Sequence, residues 1–354
     1  MFYPIIFEPI YKHMVWGGSR FAEMFGRELP FERVGESWDV SCRPDDMGTV
    51  RNGQMRGTAF ERLIGADPPG YLGKALCGRG EFPLLIKLID ANDDLSVQVH
   101  PPWKNEIWYV MHAPEGSRLN AGLVSGTRKE DFARAAERGS TAERGSTAER
   151  GAAERGSTAE RGNVGSRSCG GPAQSVTGAE SNTGEIEKYL NYIPVKSGDV
   201  INIPAGSVHA ICAGLVIAEI QQNSNSTYRI YDYGRVDKSG NPRQLHIEQA
   251  LEAIDFNSEC GLLRGQATDV PGGRIVFFIE TEHYALYEYF VETSIQETSD
   301  PDRFYIFTCV CGSCEIRSAG HTERVTAGDS VFIPAALGAY EIAGKCRLLK
   351  SLVP

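Results

Sequence analysis

Two short stretches of the 354-residue chain carry metal-binding side chains at spacings that could bring them together. Gln98, His100 and Glu106 lie in "QVHPPWKNE", and His209 ends "GDVINIPAGSVH". Two imidazoles, a carboxylate and a neutral amide oxygen form a ligand set that leaves room for water or a substrate, as a catalytic zinc requires. Iron or manganese would also fit this set. The residues therefore predict a catalytic metal site.

Short strands and tight turns must position these ligands. Residues two apart on a strand face the same side, so Gln98 and His100 share one face. A tight turn over residues 101–104 would return the chain and bring Glu106 across from them. His209 follows a Pro-Ala-Gly turn and would close the set from a second hairpin. The site therefore requires at least two neighbouring β-hairpins.

The rest of the chain is typical of a mainly β protein. Runs such as "EFPLLIKLID", "LVIAEIQQN", "GRIVFFIET" and "GDSVFIPAA" are short, apolar and bounded by Gly, Pro or Asp. Strands of about 5 to 8 residues between such turns indicate a sandwich or barrel. Helices are scarcer, with candidates at Gly57 to Gly65, Tyr71 to Leu76, around Arg128 to Ala136, and over residues 246–254.

A tandem repeat interrupts this pattern. Residues 136–162 read AERGST, AERGST, AERGA, AERGST, AERG, within a helical or low-complexity insertion over about residues 124–186. A six-residue period advances about 600° around a helix, so no face stays constant between units. The glutamates and arginines of the repeat cancel in charge, and only alanine is apolar. We therefore expect a solvated insertion that forms no core.

Composition restricts the partners and the compartment. The net charge is −10 and no Lys/Arg stripe is present, which argues against nucleic acid or an anionic membrane as the partner. No apolar run approaches the roughly 20 residues that span a bilayer, and no signal peptide is evident. Nine cysteines without regular spacing suit a reducing compartment. We therefore expect a soluble cytoplasmic protein.

The joint spacing of the two stretches resembles the two motifs of the cupin superfamily, with Gln98 in place of the usual first histidine. A second copy is visible in "GDSVFIPAALGAY", where Ala336 stands in the place of Gly206 and Ala339 in that of His209. The resemblance implies two jelly-roll barrels, of which the second lacks metal ligands. We expect a catalytic cupin domain over residues 1–255, containing the insertion, and a degenerate cupin domain over residues 256–354.

Longer stretches resemble one family. "PLLIKLIDANDDLSVQVHP", "GDVINIPAGSVHAICAGLVIAEIQQNSNSTYRIYDYGRVD" and "WGGSRFAEMF" with "GESWDVS" are similar to bacterial, short-form type I phosphomannose isomerases. The resemblance implies a zinc enzyme that interconverts mannose 6-phosphate and fructose 6-phosphate through an enediol. It implies a single zinc ion per chain, with the ligands Gln98, His100, Glu106 and His209.

The same resemblance implies the residues of a substrate pocket. An aldose–ketose isomerisation needs a base and groups that stabilise an oxyanion, and a phosphate needs local cations. We expect catalytic roles for Lys87, Lys104, Glu219 and Arg229, and substrate binding by Ser96, Lys87, Arg229 and Trp16. Glu36 and Trp38 are candidates for the pocket wall. His246 matches neither motif and is expected to be structural or at the surface.

One departure and two alternatives accompany this interpretation. Only five residues separate His100 from Glu106, where family members carry a longer loop. The same ligands would also suit another metal-dependent cupin enzyme, such as an iron dioxygenase, or a non-catalytic cupin that binds sugar phosphates. The expected partner is a small phosphorylated sugar, without nucleic acid or membrane, and the chain is expected to be a monomer or a weak homodimer.

Overall fold

The computed structural model describes residues 2–139, 185–236 and 240–354. Antiparallel sheets dominate these residues, so the predicted mainly β class is confirmed. Most of the AERGST repeat, from residue 140 onward, lies outside the described residues. A bilayer-spanning helix is absent from the part of the chain that the structure describes.

Two sheets form the first barrel. The central sheet has the order β15-β11-β8-β13-β6-β3-β2, and the front sheet has the order β10-β9-β12-β7-β14. The strands of the central sheet are β2 (Ile10–Gly18), β3 (Val34–Val40), β6 (Leu84–Asp90), β8 (Glu106–His112), β11 (Val200–Ile203), β13 (Val216–Gln222) and β15 (Gly261–Leu263). Those of the front sheet are β7 (Val97–Val99), β9 (Arg118–Leu123), β10 (Leu190–Pro194), β12 (His209–Ala210) and β14 (Tyr228–Tyr231).

Short helices cover the edges and the outer face of this barrel. The described helices are α1 (Arg20–Phe25), α2 (Phe60–Ala66), α3 (Pro68–Leu72), α4 (residues 129–139) and α5 (Ile247–Ala253), with a 3₁₀ turn at Glu187–Tyr189 and a small hairpin of β4 (Cys42–Arg43) and β5 (Asp46–Met47). The helix predicted from Tyr71 to Leu76 instead begins at Pro68, because proline is favoured in the first turn. It ends at Leu72, because the next residue, Gly73, has a φ of 91° that a helix cannot accommodate.

The second barrel is one bent, nine-stranded sheet. Its strands are β1 (Ile5–Ile6), β16 (Gln266–Val270), β17 (Gly273–Glu280), β18 (Ala285–Val291), β19 (Ser294–Thr298), β20 (Tyr305–Ser318), β21 (His321–Thr326), β22 (Ser330–Ile333) and β23 (Ala339–Leu352). The first half of β20 pairs with β22 and its second half with β21. A register shift after Cys309 and the φ of 76° at Gly312 mark the bend. Both halves thereby enclose one core.

The strand starts agree with the spacing-based alignment of the second barrel. That alignment places Ala339 where His209 stands; Ala339 is exposed and Tyr340 is buried. Both turns have the same length, since β12 begins at His209, five residues after Pro204, and β23 begins at Ala339, five residues after Pro334. Buried Tyr340 is the next residue and joins the core of the second barrel.

The central sheet is covered on both faces, so the whole of β6 is buried. Leu84, Ile86 and Leu88 on one face share a core with side chains of the second barrel, including Leu286 and Phe332. On the opposite face, the site side chains lie between the central and front sheets. Strands that are buried on both faces usually have a continuous apolar sequence. Charged residues on the inner face of this sheet therefore indicate a functional site.

Strand pairing crosses the predicted domain boundary in both directions. Strand β1, at the start of the chain, pairs with β22 of the second barrel through Ile5 and Phe332. Strand β15, after residue 255, pairs with β11 of the central sheet. The division into residues 1–255 and 256–354 stays a prediction.

Candidate metal centre and substrate pocket

Strand register brings the predicted ligands together. His209 on β12 lies opposite Gln98 on β7, and His100 follows β7 directly. Glu106 begins β8 of the central sheet, opposite Ile203. Ligand atoms of His100, Glu106 and His209 all lie within 4.8 Å of one another. Across the described residues, no other group of His, Cys, Asp and Glu meets this condition.

Backbone carbonyls fix the tautomers of both imidazoles. His209 Nδ1 is 2.8 Å from the Ser207 carbonyl, and His100 Nδ1 is 3.0 Å from the Ser226 carbonyl. Because a carbonyl only accepts, each Nδ1 carries the proton and each Nε2 presents a lone pair. Such support from behind is the usual arrangement of metal-binding histidines. The Gln98 amide lies 3.3 Å from His209 Nε2, and reversing the amide would direct its oxygen there.

The Glu106 carboxylate lies where it could bind a cation together with the two imidazole nitrogens. Both of its oxygens are buried without a hydrogen-bond partner, although His100 Nε2 lies 2.9 Å from one and His209 Nε2 3.5 Å from the other. Burial lowers the pKa of His100 to about 3 and lowers that of His209, so both imidazoles are neutral near pH 7. Burial alone would raise the pKa of Glu106, but the groups around it, His100 and Lys104 foremost, hold it well below its ordinary value. An anionic carboxylate facing neutral nitrogen donors suits a divalent ion.

The five-residue connection from His100 to Glu106 is compatible with the site. The Lys104 backbone N–H donates to the Pro101 carbonyl at 3.0 Å, which closes a tight turn. The buried Lys104 Nζ then lies 2.9 Å from His100 Nε2 and 3.4 Å from a Glu106 oxygen. Burial lowers the pKa of Lys104. The short turn therefore places Lys104 and Glu106 on either side of the same small volume.

A second group of buried charges lies on the inner face of the central sheet. Glu219 is opposite both Lys87 and Trp108; Lys87 Nζ is 3.3 Å from its carboxylate, and the Trp108 indole donates to it at 3.1 Å. Lys87 also lies 3.7 Å from Glu36. Burial raises the pKa of Glu219. Burial alone would lower the pKa of Lys87, but Glu36 and Glu219 outweigh that effect and raise it.

The opposite end of the pocket is basic. Arg229 donates to Ser96 Oγ at 3.3 Å and to the Gln244 carbonyl at 2.9 Å. Burial, and then repulsion by Arg243, lower the pKa of Arg229. Within the described ranges, no carboxylate forms an ion pair with Arg229, whereas Arg243 is paired with Asp232. Positive charge therefore accumulates at this end.

A cavity of about 290 Å³ joins the two ends and collects the predicted site residues. Its lining includes Trp16, Lys87, Ser96, Gln98, His100, Lys104, His209, Glu219 and Arg229. Glu106 lies beside this lining, in contact with His100, Lys104 and His209. Of the two expected wall residues, Glu36 lines the cavity, and Trp38 donates to Glu36 at 2.7 Å from behind.

Sequence reasoning missed two residues of the basic end. Arg243 and His246 line the cavity from the loop before α5. His246, for which a structural or surface role is expected, thus lies at the cavity wall. Its ring accepts a hydrogen bond from the Arg229 backbone N–H at 3.2 Å, which attaches the loop to β14. The sequence feature that could have indicated them is the occurrence of Arg243 and His246 shortly before α5, on the segment that follows Arg229.

Comparison with known proteins agrees with both barrels. Residues 5–121 match the family described as phosphomannose isomerase type I, catalytic domain, and residues 274–353 match that described as mannose-6-phosphate isomerase, cupin domain. The probable mannose-6-phosphate isomerase GmuF of Bacillus subtilis (strain 168) is 28% identical over 99% of each chain. The second family match also confirms the cupin class predicted for the second barrel.

Solved structures give the same result. The mannose 6-phosphate isomerase of Bacillus subtilis superimposes with a TM-score of 0.78 at 27% identity, covering 98% of this chain and 99% of that one. A mannose 6-phosphate isomerase with bound zinc and yttrium, 15% identical, shares the fold with a TM-score of 0.68 over 98% of each chain. With its catalytic domain first and its cupin domain last, the chain belongs to the type I phosphomannose isomerase family.

Proposed function

We propose that the chain is a zinc-dependent isomerase that interconverts mannose 6-phosphate and fructose 6-phosphate through an enediol. One observation carries the proposal. The buried Glu106 carboxylate has no hydrogen-bond partner and faces two imidazole lone pairs, beside a cavity whose far end is basic. Metal and phosphate requirements are thus met in one pocket.

The zinc would be held by Gln98, His100, Glu106 and His209, one ion per chain. When bound, it supplies a Lewis acid that polarises the sugar carbonyl and stabilises negative charge on the neighbouring oxygen. A relative with the same fold was solved with zinc bound, which supports this choice of metal. The donor set, with two neutral nitrogens, a carboxylate and an amide, suits zinc.

The chain's own buried charges would move the proton between C1 and C2. Burial lowers the pKa of Lys104 and raises that of Glu219, so both groups titrate closer to neutral pH than usual. Groups shifted in this way can accept and return a proton. Lys87 would hold Glu219 in place through the 3.3 Å ion pair. Arg229 would stabilise the developing negative charge.

The basic end would bind the phosphate. Arg229 and Arg243 supply charge-assisted donors, and the Ser96 hydroxyl lies within reach of Arg229. Trp16 is buried at the cavity wall and would exclude water from the reacting carbons. The cytoplasmic location and the monomeric or weakly dimeric state stay predictions.

A coupled assay tests this function. Zinc-loaded protein is mixed with mannose 6-phosphate, and the fructose 6-phosphate formed is converted by a coupling enzyme to a product that can be followed by absorbance. We expect turnover that disappears when a chelator removes the metal and returns with zinc. Absence of turnover with one zinc bound would refute the isomerase and favour a sugar-phosphate-binding protein. Stoichiometric iron in the protein as isolated would instead favour a different cupin enzyme.

A further inference from the structure

Asn105 lies between Lys104 and Glu106 and uses all four of its polar groups. Its backbone N–H and its side-chain Nδ2 both donate to Gln222 Oε1, at 2.9 and 2.7 Å. Its carbonyl accepts from the Gln222 backbone at 3.1 Å, and its Oδ1 accepts from the Ala205 backbone at 2.9 Å. One residue therefore joins three separate segments of the barrel.

Each of these segments carries a side chain of the site. Ala205 belongs to the turn that precedes His209. Gln222 ends β13, the strand that carries Glu219, and its neighbour Gln221 lies opposite Glu106. Asn105 thus fixes the start of β8 relative to the two strands on either side of it.

The connection that contains Asn105 has few other means of support. Two of its five residues, Pro101 and Pro102, have no backbone N–H to donate. Trp103 is 60% exposed, so it adds little packing. The turn itself is closed by the bond between the Lys104 N–H and the Pro101 carbonyl. Its attachment to the rest of the barrel therefore depends heavily on Asn105.

We propose that Asn105 is a positioning residue that, with Gln222, sets the placement of Lys104 and Glu106 relative to His100 and His209. This inference rests on the proposed function of the same site. Asn105 is joined by peptide bonds to Lys104 on one side and to Glu106 on the other. A displacement of Asn105 therefore moves the Glu106 carboxylate and the Lys104 amine together. The pair thereby compensates for the short connection between His100 and Glu106.

Variants at both members of the pair test this role. Asn105→Ala removes the bonds to Gln222 Oε1 and to Ala205 that the side chain makes. Gln222→Leu removes the shared acceptor, whereas Gln222→Glu keeps an oxygen at that position. Asn52→Ala is the matched control, because it deletes a bond from the Ile6 N–H and a bond to the Pro4 carbonyl, both 2.9 Å long and away from the site.

The readouts separate positioning from general stability. Zinc affinity is measured by competition with a chelator, the visible spectrum of the Co²⁺-substituted protein reports ligand geometry, and kcat and KM are measured for mannose 6-phosphate. For Asn105→Ala and Gln222→Leu we expect zinc affinity and kcat to fall about 10- to 100-fold, as when a ligand's supporting partner is lost. The Co²⁺ spectrum should change, and KM should stay within about twofold because the basic end is intact. Gln222→Glu should restore near-normal values.

Two results would overturn the proposal. One is wild-type zinc affinity and an unchanged Co²⁺ spectrum in both Asn105→Ala and Gln222→Leu. The other is an equal loss of zinc affinity in Asn52→Ala. If Asn105→Ala fails to fold, the contrast between Gln222→Leu and Gln222→Glu decides. If the wild-type protein shows no isomerase activity, zinc affinity and the Co²⁺ spectrum still decide whether Asn105 positions the metal-binding residues.

Discussion

The two barrels place different side chains at equivalent points of the same frame. In the first, Glu106 lies opposite Ile203, which precedes Pro204 of the Gly-Asp…Pro motif. In the second, Tyr305 lies opposite Ile333, which precedes Pro334 of the repeated motif. Tyr305 therefore occupies the position that corresponds to Glu106.

The correspondence extends to the neighbouring strand. Glu219 lies opposite Trp108, two residues after Glu106, and Lys350 lies opposite Phe307, two residues after Tyr305. Lys350 Nζ is 3.5 Å from a Glu297 oxygen, donates to the Tyr289 hydroxyl at 3.2 Å, and lies 3.8 Å from the centre of the Tyr305 ring. A covalently attached ammonium is thus held by a carboxylate and aromatic groups.

The difference shows what makes the first barrel a site. There, Glu106 faces two imidazole nitrogens beside a cavity of about 290 Å³, with Lys104 Nζ 3.4 Å from one of its oxygens. In the second barrel Glu297 is paired with Lys350, and Ala339, which stands in the place of His209, has no side-chain atom that could bind a metal. The same strand order therefore supports a candidate metal site in one barrel and a Lys–Glu ion pair in the other, depending on which residues face inward.

Removing a ligand from the first barrel should have the largest effect. We expect His209→Ala to abolish isomerase activity and to lower zinc affinity by more than the roughly 100-fold typical of losing a ligand's supporting partner. Tyr340→Phe, a change in the core of the second barrel, is the control and should bind zinc normally. Zinc content and the coupled assay check both. A zinc-loaded, active His209→Ala would contradict the ligand assignment.

Removing the Lys350 ammonium should lower the free energy of unfolding and leave zinc binding unchanged. Lys350→Met leaves Glu297 largely buried without its cation, so we expect the free energy of unfolding to fall by about 2 to 4 kcal/mol. The double variant Lys350→Met with Glu297→Leu should recover much of this loss, because no unpaired charge remains. Denaturant unfolding measures both, and zinc affinity should be unchanged. An additive loss in the double variant would exclude coupling between the two residues.

Removing a cation from the basic end should weaken substrate binding alone. Arg243→Ala deletes one charge-assisted donor, so we expect KM for mannose 6-phosphate to rise about 10- to 100-fold. Zinc affinity should not change, since Arg243 lies at the other end of the cavity. Arg317→Ala, on the surface of the second barrel, serves as the control and should leave KM unaltered. An unchanged KM in Arg243→Ala would remove this residue from the phosphate site.

The sequence predicted the parts of the site that local rules determine. Alternation along a strand and the turn before His209 were enough to bring Gln98, His100 and His209 to one face. Arg243 and His246 were not predictable in this way, because their position depends on the packing of a distant loop against β14. The pairing of β1 with the second barrel and of β15 with the first was not predictable either, because each strand pairs with a partner far away in sequence. The burial of Tyr340 was not predictable either, because it depends on packing in the core of the second barrel rather than on the Gly-Asp…Pro motif.

The most direct test is a zinc titration of the metal-free protein in which bound zinc and isomerase activity are followed together. We expect activity with mannose 6-phosphate to rise in proportion to occupancy and to stop rising at one zinc per chain. His209→Ala should show neither increase. Full activity in the metal-free protein, or one tightly bound zinc without turnover, would contradict the account.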